Sequence, residues 1–141
     1  MDDPVLLTGA GGAVGEAILD GLEEEYYWKL MFHNPPAEQP DHEYLIGDVD
    51  NPEDAREAVE GVGAVIHLAG DPRPEAPWDS VLANNIDGTQ KMYEAAVAEG
   101  VEKFVFASSN HAVGSFETDQ RTPDMYRPDD EFRLDGTEFP R

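Results

Sequence analysis

Eight residues constrain this chain more than any others: Thr8-Gly9-Ala10-Gly11-Gly12-Ala13-Val14-Gly15. They follow Pro4-Val5-Leu6-Leu7-Thr8, an apolar run of strand length, and lead into Glu16-Ala17-Ile18-Leu19-Asp20-Gly21-Leu22. Val14, Ile18 and Leu22 recur at a spacing of four, one face of a helix. Strand, glycine turn and helix in that order are the setting a nucleotide loop needs. Gly9 lets the strand turn sharply, Gly12 lets the chain approach a diphosphate, and Gly15 lets the helix pack closely. The amides at the helix start, Ala13 and Val14 among them, then face the negative charge. No Gly-Lys-Ser/Thr follows, which excludes the phosphate loop of kinases and ATPases.

The rest of the chain repeats the alternation. Tyr27-Trp28-Lys29-Leu30-Met31-Phe32 reads as a second strand, halted by Asn34-Pro35-Pro36. His42-Glu43-Tyr44-Leu45-Ile46 is a weaker third strand ending at Gly47-Asp48. Asn51 caps a helix with Pro52 in its first turn and Glu53 and Asp54 at its positive end, running to about Glu60. Ala64-Val65-Ile66-His67-Leu68 has the continuous apolar character of a strand covered on both faces. A proline-rich loop follows, then a long helix over residues 78–99, interrupted near Gly88 and ended by Gly100. Lys103-Phe104-Val105-Phe106-Ala107 is the fifth strand. Such alternation predicts an α/β fold, a Rossmann-like doubly wound parallel sheet, incomplete at the carboxyl end. The domain reading is a dinucleotide-binding unit over residues 1–114 and an acidic irregular segment over 115–141.

With 141 residues the chain has room for one domain. The absence of cysteine excludes disulfides, thiolate nucleophiles and cysteine-ligated zinc. The four histidines, 33, 42, 67 and 111, show no helical pairing, so no metal site is expected. Apolar runs are strand-sized and the first residues carry no positive region, so neither membrane span nor secretory leader is expected, and the location implied is cytoplasmic. Charge is the unusual quantity. Asp and Glu number 31 against 9 Lys and Arg, a formal net charge of -22. Such a chain repels phosphate backbones, so nucleic acid is not an expected partner. The acid excess fits a folded protein of a high-salt cytoplasm, where screening makes dense like charge tolerable.

Several residues at predicted strand ends have the chemistry for a site. Phe32-His33-Asn34 stands where an acidic residue ordinarily binds the adenosine ribose; Phe32 cannot accept a hydrogen bond, whereas His33 or Asn34 can. Asp48 and Val49 suit an adenine amino group and ring, although Asp48 is equally readable as a loop acid. Leu68, Ala69 and Gly70 let the backbone run beneath a flat cofactor. Asn85 either faces solvent or braces a neighbouring strand, and His67 reads as a packed core residue. Arg73, between two prolines, either binds phosphate or pairs with Asp71 or Glu75. Ser108-Ser109-Asn110-His111 is the best catalytic block, with a hydroxyl, an amide and an imidazole in sequence.

Together with Gly47-Asp48-Val49, His67-Leu68-Ala69-Gly70 and Asn84-Asn85-Ile86-Asp87-Gly88-Thr89, these motifs resemble the extended short-chain dehydrogenase/reductase (NAD-dependent epimerase/dehydratase) family. Ser108-Ser109-Asn110-His111 resembles its uronate dehydrogenase branch. The segments around Arg73 and Tyr126 resemble more specifically the NAD-dependent glucose-6-phosphate dehydrogenases of halophilic archaea. The resemblance implies hydride transfer from C1 of a cyclic sugar phosphate to NAD, giving a lactone. It implies diphosphate contacts from Gly9, Gly12, Ala13, Val14 and Gly15, adenine contacts from Asp48 and Val49, and contacts on the ribose side from Leu68, Ala69 and Gly70. Asn85 becomes the structural and relay asparagine, Ser109 the catalytic serine, and Arg73, Asn110 and His111 substrate contacts. A homo-oligomer is compatible with it. Uronate dehydrogenase, nucleotide-sugar epimerase and a non-catalytic NAD-binding fragment stand as alternatives.

Two departures qualify the resemblance. Phe32 replaces the acid at the end of strand two, so NADP is not excluded. No Tyr-x-x-x-Lys pair occurs, because Tyr126 is followed four residues later by Asp130. The chain is accordingly expected to be an amino-terminal portion that is inactive alone. The charge balance carries its own prediction. Debye lengths are about 3 Å at 1 M salt and about 30 Å at 0.01 M. Far-UV ellipticity should therefore fall on dialysis into dilute buffer and return in molar KCl; equal ellipticity in both would contradict the high-salt reading.

Overall fold

Val5–Thr8 forms β1, a strand buried along its whole length, and the remaining strands are arranged around it. The computed structural model describes residues 3–109. Within them β2 (Trp28–Phe32), β3 (Glu43–Ile46), β4 (Ala64–His67) and β5 (Lys103–Phe106) join β1 in one sheet of order β3-β2-β1-β4-β5. Every pairing is parallel, with Val5 opposite Trp28 on one side and Ala64 on the other. This is the doubly wound order in which strand sequence reverses at β1, and ligands bind outside the carboxyl ends at that reversal. The expected fold class is thus observed.

The alternation of β1 side chains divides the core. Leu6 joins Met31 and Val65 on the face covered by α2 (Pro52–Val59) and α4 (Gly88–Glu99), which contribute Ala55, Ala58, Val59, Met92, Ala95 and Ala96. Val5 and Leu7 join Trp28, Leu30 and Phe32 on the opposite face, where Ile18 and Leu19 of α1 (Ala13–Leu22) pack. Helix α2 begins as its sequence predicts: Asn51 Oδ1 accepts from the amides of Glu53 at 2.9 Å and Asp54 at 3.4 Å. Its other end is held by a lysine inside the sheet. Lys29 Nζ, buried with its strand, donates to the carbonyls of Glu57 and Glu60 at 2.8 and 3.2 Å, groups that the helix itself leaves unsatisfied.

Two details differ from the sequence pattern. The repeat Val14, Ile18, Leu22 does not mark the buried face of α1, since Val14 is 61% exposed. The helix instead presents Gly15, Ile18 and Leu19, because Gly15 is pressed against the loop that precedes it. The long helix is not broken at Gly88 either. Helix α3 (Trp78–Val81) runs into a π-helical segment, Leu82–Asp87, and then into α4. The expected boundary after residue 114 lies outside the described residues; the sheet and its helices belong to a compact unit, Met1–Ala107. Among the described residues no helix is long and apolar enough to cross a membrane.

A Cβ at Gly15 would lie 2.6 Å from the Gly9 carbonyl oxygen and 2.8 Å from that of Ala10, both backbone atoms. At Gly21, in the same helix, it would meet nothing within 4 Å. Gly15→Ala should therefore cost about 1–3 kcal/mol through overpacking. Gly21→Ala should gain about 0.4–1 kcal/mol. Urea titrations in molar salt check the pair, and shifts of the same sign would refute this account of α1.

Candidate active site

The carboxyl ends of β1, β2, β3 and β4 border a cleft of about 490 Å³. Of the residues singled out from sequence, Gly9, His33, Asp48, Val49, Ala69, Gly70 and Arg73 line it. At one end His33 Nδ1 lies against the Asp48 carboxylate, and both side chains are exposed. The Asp54 carboxylate fixes the backbone here by accepting from the Asp48 amide at 2.8 Å. Val49 belongs to the α2/α4 core yet reaches the cleft, forming an apolar floor. Phe32 points elsewhere: it packs with the α1-side core and edge-on to Tyr44, at 6.1 Å between centroids. At the end of β2 the cleft is lined by His33 and Asn34, the two residues that the sequence offers as hydrogen-bonding groups there, while Phe32 faces the other side.

The glycine loop forms the next part of the wall. Gly9 has φ +70°, and a Cβ there would stand 2.9 Å from the Ala69 amide nitrogen, so the loop lies directly against the end of β4. Gly11, Gly12, Ala13 and Val14 are exposed, and Gly12 caps α1 without any side-chain hydrogen bond. The leading amides of α1 thus have no side-chain acceptor. That cradle fits a diphosphate, which supplies acceptor oxygens and the matching charge. Among the described residues no group of acidic or histidine side chains is arranged to hold a metal ion.

The loop after β4 closes the cleft. Asp71 accepts from Arg73 Nε at 2.9 Å, from an Nη of the same guanidinium, and from Ser80 Oγ at 2.6 Å. The Arg73 hydrogen bond, then that of Ser80, holds the Asp71 carboxyl well below the usual carboxylate range. Asp71 correspondingly raises the guanidinium pKa of Arg73. Of the two sequence readings for Arg73, the pairing with Asp71 is the one seen. Asn85 braces this loop from the π-helical segment: its Oδ1 accepts from the Asp71 amide at 2.6 Å and its Nδ2 donates to the Asp71 carbonyl at 3.2 Å. The sequence offered Asp71 as one of two partners for Arg73, whereas Ser80, the second donor to Asp71, escaped sequence reasoning.

The remaining candidates divide. Leu68 and Asn85 do not line the cleft themselves but adjoin residues that do. Ser109 follows β5 and is exposed. Asn110 and His111 lie outside the described residues. His67, predicted as core, is fully buried, and desolvation lowers its pKa to about 4.

Comparison with known proteins places this geometry. Residues 5–133 match the model of the NAD dependent epimerase/dehydratase family. The chain is 63% identical over its whole length to an NAD-dependent glucose-6-phosphate dehydrogenase of Haloferax volcanii, of which it covers 56%. It is 36% identical to a uronate dehydrogenase of Pseudomonas putida, over 83% of this chain and 44% of that protein. Among solved structures, a mutant uronate dehydrogenase from Agrobacterium tumefaciens complexed with NAD superposes with a TM-score of 0.71 at 32% identity. That match covers 78% of this chain and 42% of the other. The chain spans about half the length of the relatives it matches.

The lowered pKa of His67 gives a stability prediction with a definite sign. Between pH 6.5 and about 4 the unfolded chain protonates this imidazole while the folded chain does not. Its contribution is thus complete above pH 6.5 and lost as pH falls towards about 4. The shift corresponds to about 3 kcal/mol as an order of magnitude. Denaturant midpoints of the wild type and His67→Gln in molar KCl should converge across that window; parallel pH profiles would contradict the burial of a neutral imidazole.

Proposed function

The chain belongs to the NAD dependent epimerase/dehydratase family, and from that premise we propose that it is part of an NAD-dependent sugar oxidoreductase. The reaction is removal of hydride from C1 of a cyclic sugar phosphate, glucose 6-phosphate, to give the lactone. The observation that carries this reading is the cleft between the glycine loop and the Asp48-Val49 floor, in a chain 63% identical to a relative of that named activity.

In this reading the amides of Gly12, Ala13 and Val14 hold the diphosphate, while Gly9 and Gly15 give the loop its shape. His33 and Asp48 meet the adenosine ribose and the adenine amino group, and Val49 lies against the ring. Leu68, Ala69 and Gly70 run beneath the second ribose, with Asn85 bracing them through Asp71. NAD, when bound, supplies the hydride acceptor. Ser109 donates a hydrogen bond to the reacting oxygen as charge gathers there. Arg73, Asn110 and His111 orient the sugar, and proximity to the cofactor face provides much of the rate. Asp71 engages one edge of the Arg73 guanidinium, leaving the other edge to a phosphate.

A second reading has its own support. Arg73 already holds a carboxylate in bidentate fashion, which is how it would receive a uronate, and several relatives are uronate dehydrogenases. Initial rates of the full-length protein with NAD on glucose 6-phosphate, glucuronate and glucose separate the two. The expected result is a kcat/KM for glucose 6-phosphate at least about tenfold above the others, and a preference for glucuronate would replace the first reading by the second. Ser109→Ala should lower kcat by about 10²-fold, with NADH affinity unchanged on fluorescence titration. An equal loss of NADH affinity would remove Ser109 from its catalytic role.

A further inference from the structure

A chain of hydrogen bonds crosses the interior behind the cleft, and proton counting gives it a direction. Thr8 Oγ1 accepts from the amides of Leu68 at 3.2 Å and Ala69 at 3.1 Å. Those two bonds occupy both acceptor positions of a hydroxyl, so its own proton is donated. The recipient is His67 Nδ1, at 2.9 Å. Nδ1 therefore carries no hydrogen, and the proton of the neutral ring is on Nε2. Nε2 lies 3.2 Å from Thr89 Oγ1, which in turn donates to the Asn85 carbonyl at 2.8 Å.

The opposite direction fails at the first step. A hydrogen on Nδ1 would be a third donor aimed at Thr8, leaving the hydroxyl proton without an acceptor in a fully buried position. An imidazolium has the same defect. The ring is also confined laterally, between Phe104 at 5.8 Å and Phe106 at 6.2 Å. Both ends of the chain adjoin residues that line the cleft. Leu68 and Ala69 form the backbone that Gly9 touches, and Asn85 holds both backbone groups of Asp71.

We propose that His67 is a positioning residue: fixed as the Nε2–H tautomer, it ties the backbone beneath the glycine loop to the π-helical turn at Asn85 and so sets the separation of the two cleft walls. The naming of NADH as the ligand that senses this separation rests on the function proposed above; the tie itself does not. Residue Thr89 is the lever for a test, since it does not line the cleft and reaches it only through Asn85 and His67.

Nitrogen-15 spectra of histidine-labelled protein in molar KCl at pH 7 should show His67 with hydrogen on Nε2. A hydrogen on Nδ1, or on both nitrogens, overturns the proposal, and this measurement needs no variant to fold. Thr89→Val keeps the shape and removes the hydroxyl, whereas Thr89→Ser restores it. Amide exchange at Leu68, Ala69 and Asp71 should accelerate about tenfold or more in Thr89→Val and return towards wild type in Thr89→Ser. Unchanged exchange in a folded Thr89→Val overturns the tie. NADH titration is the separate arm: affinity should fall about fivefold or more in Thr89→Val and recover in Thr89→Ser. A wild type that binds no NADH removes the cofactor assignment, with exchange and tautomer still deciding the positioning role.

Discussion

The contact of Gly9 with the end of β4 is the constraint on which the cleft depends. A β1 that simply continued, or turned with any side chain at residue 9, would meet the Ala69 amide nitrogen at 2.9 Å and the Leu68 carbonyl carbon at 3.0 Å. Because the chain can turn there, α1 starts at the sheet's carboxyl edge, just after the glycine that lines the cleft. Thr8, one residue earlier, locks the same junction by accepting from the Leu68 and Ala69 amides. Backbone proximity and side-chain hydrogen bonding thus secure one point from two directions. The cleft has a fixed inner corner before any ligand arrives.

Polarity inside the molecule is concentrated around that corner and around one helix end. Among the described residues, the buried polar side chains are Thr8, Lys29 and His67, and no buried side-chain nitrogen or oxygen lacks a partner. Lys29 saturates the last carbonyls of α2, while Thr8 and His67 serve the cleft. Among the described residues no Asp or Glu belongs to this buried set. Acid excess and core are therefore separate problems. The core is apolar and ordinary for a doubly wound sheet, and the charge acts through the surface field.

Elements whose information is local were legible in the sequence. The glycine turn, the Asn51 cap and the strand-length apolar runs each depend on residues within a few positions, and each stands where its pattern places it. Orientation was harder to read. The spacing of Val14, Ile18 and Leu22 fixes a helix but not which side of it packs, and Gly15, with no side chain to count, marks the true contact. Phe32 and His33 differ by one residue, which in a strand reverses the face, so hydrogen-bonding capacity rather than periodicity singled out His33 and Asn34, both of which line the cleft. The Asp71–Ser80 bond joins residues nine apart across a proline loop, and no periodicity encodes it. The hydrogen bonds of His67 reach residues 59 and 22 positions away, so composition describes it only as a strand histidine.

The pair at the end of β2 shows how such a one-residue shift is absorbed. Sites of this architecture that take a dinucleotide with an unmodified ribose keep an acidic acceptor at this strand end. Here the strand end supplies an imidazole, and the carboxylate comes from Asp48 after the neighbouring β3, in contact with His33 Nδ1. The parallel register makes this substitution geometrically cheap. Phe32 is paired with Ile46, so His33 and Asp48 both emerge just beyond the same rung of the sheet. Asp48 is in turn anchored through its amide to Asp54 in the first turn of α2, where negative charge is favoured by the helix. A carboxylate therefore stands at the cleft beside the imidazole that follows β2, supplied from the neighbouring strand end. A site of this kind is defined by where charge stands in space, and the residue type at a single strand end is an incomplete guide to it.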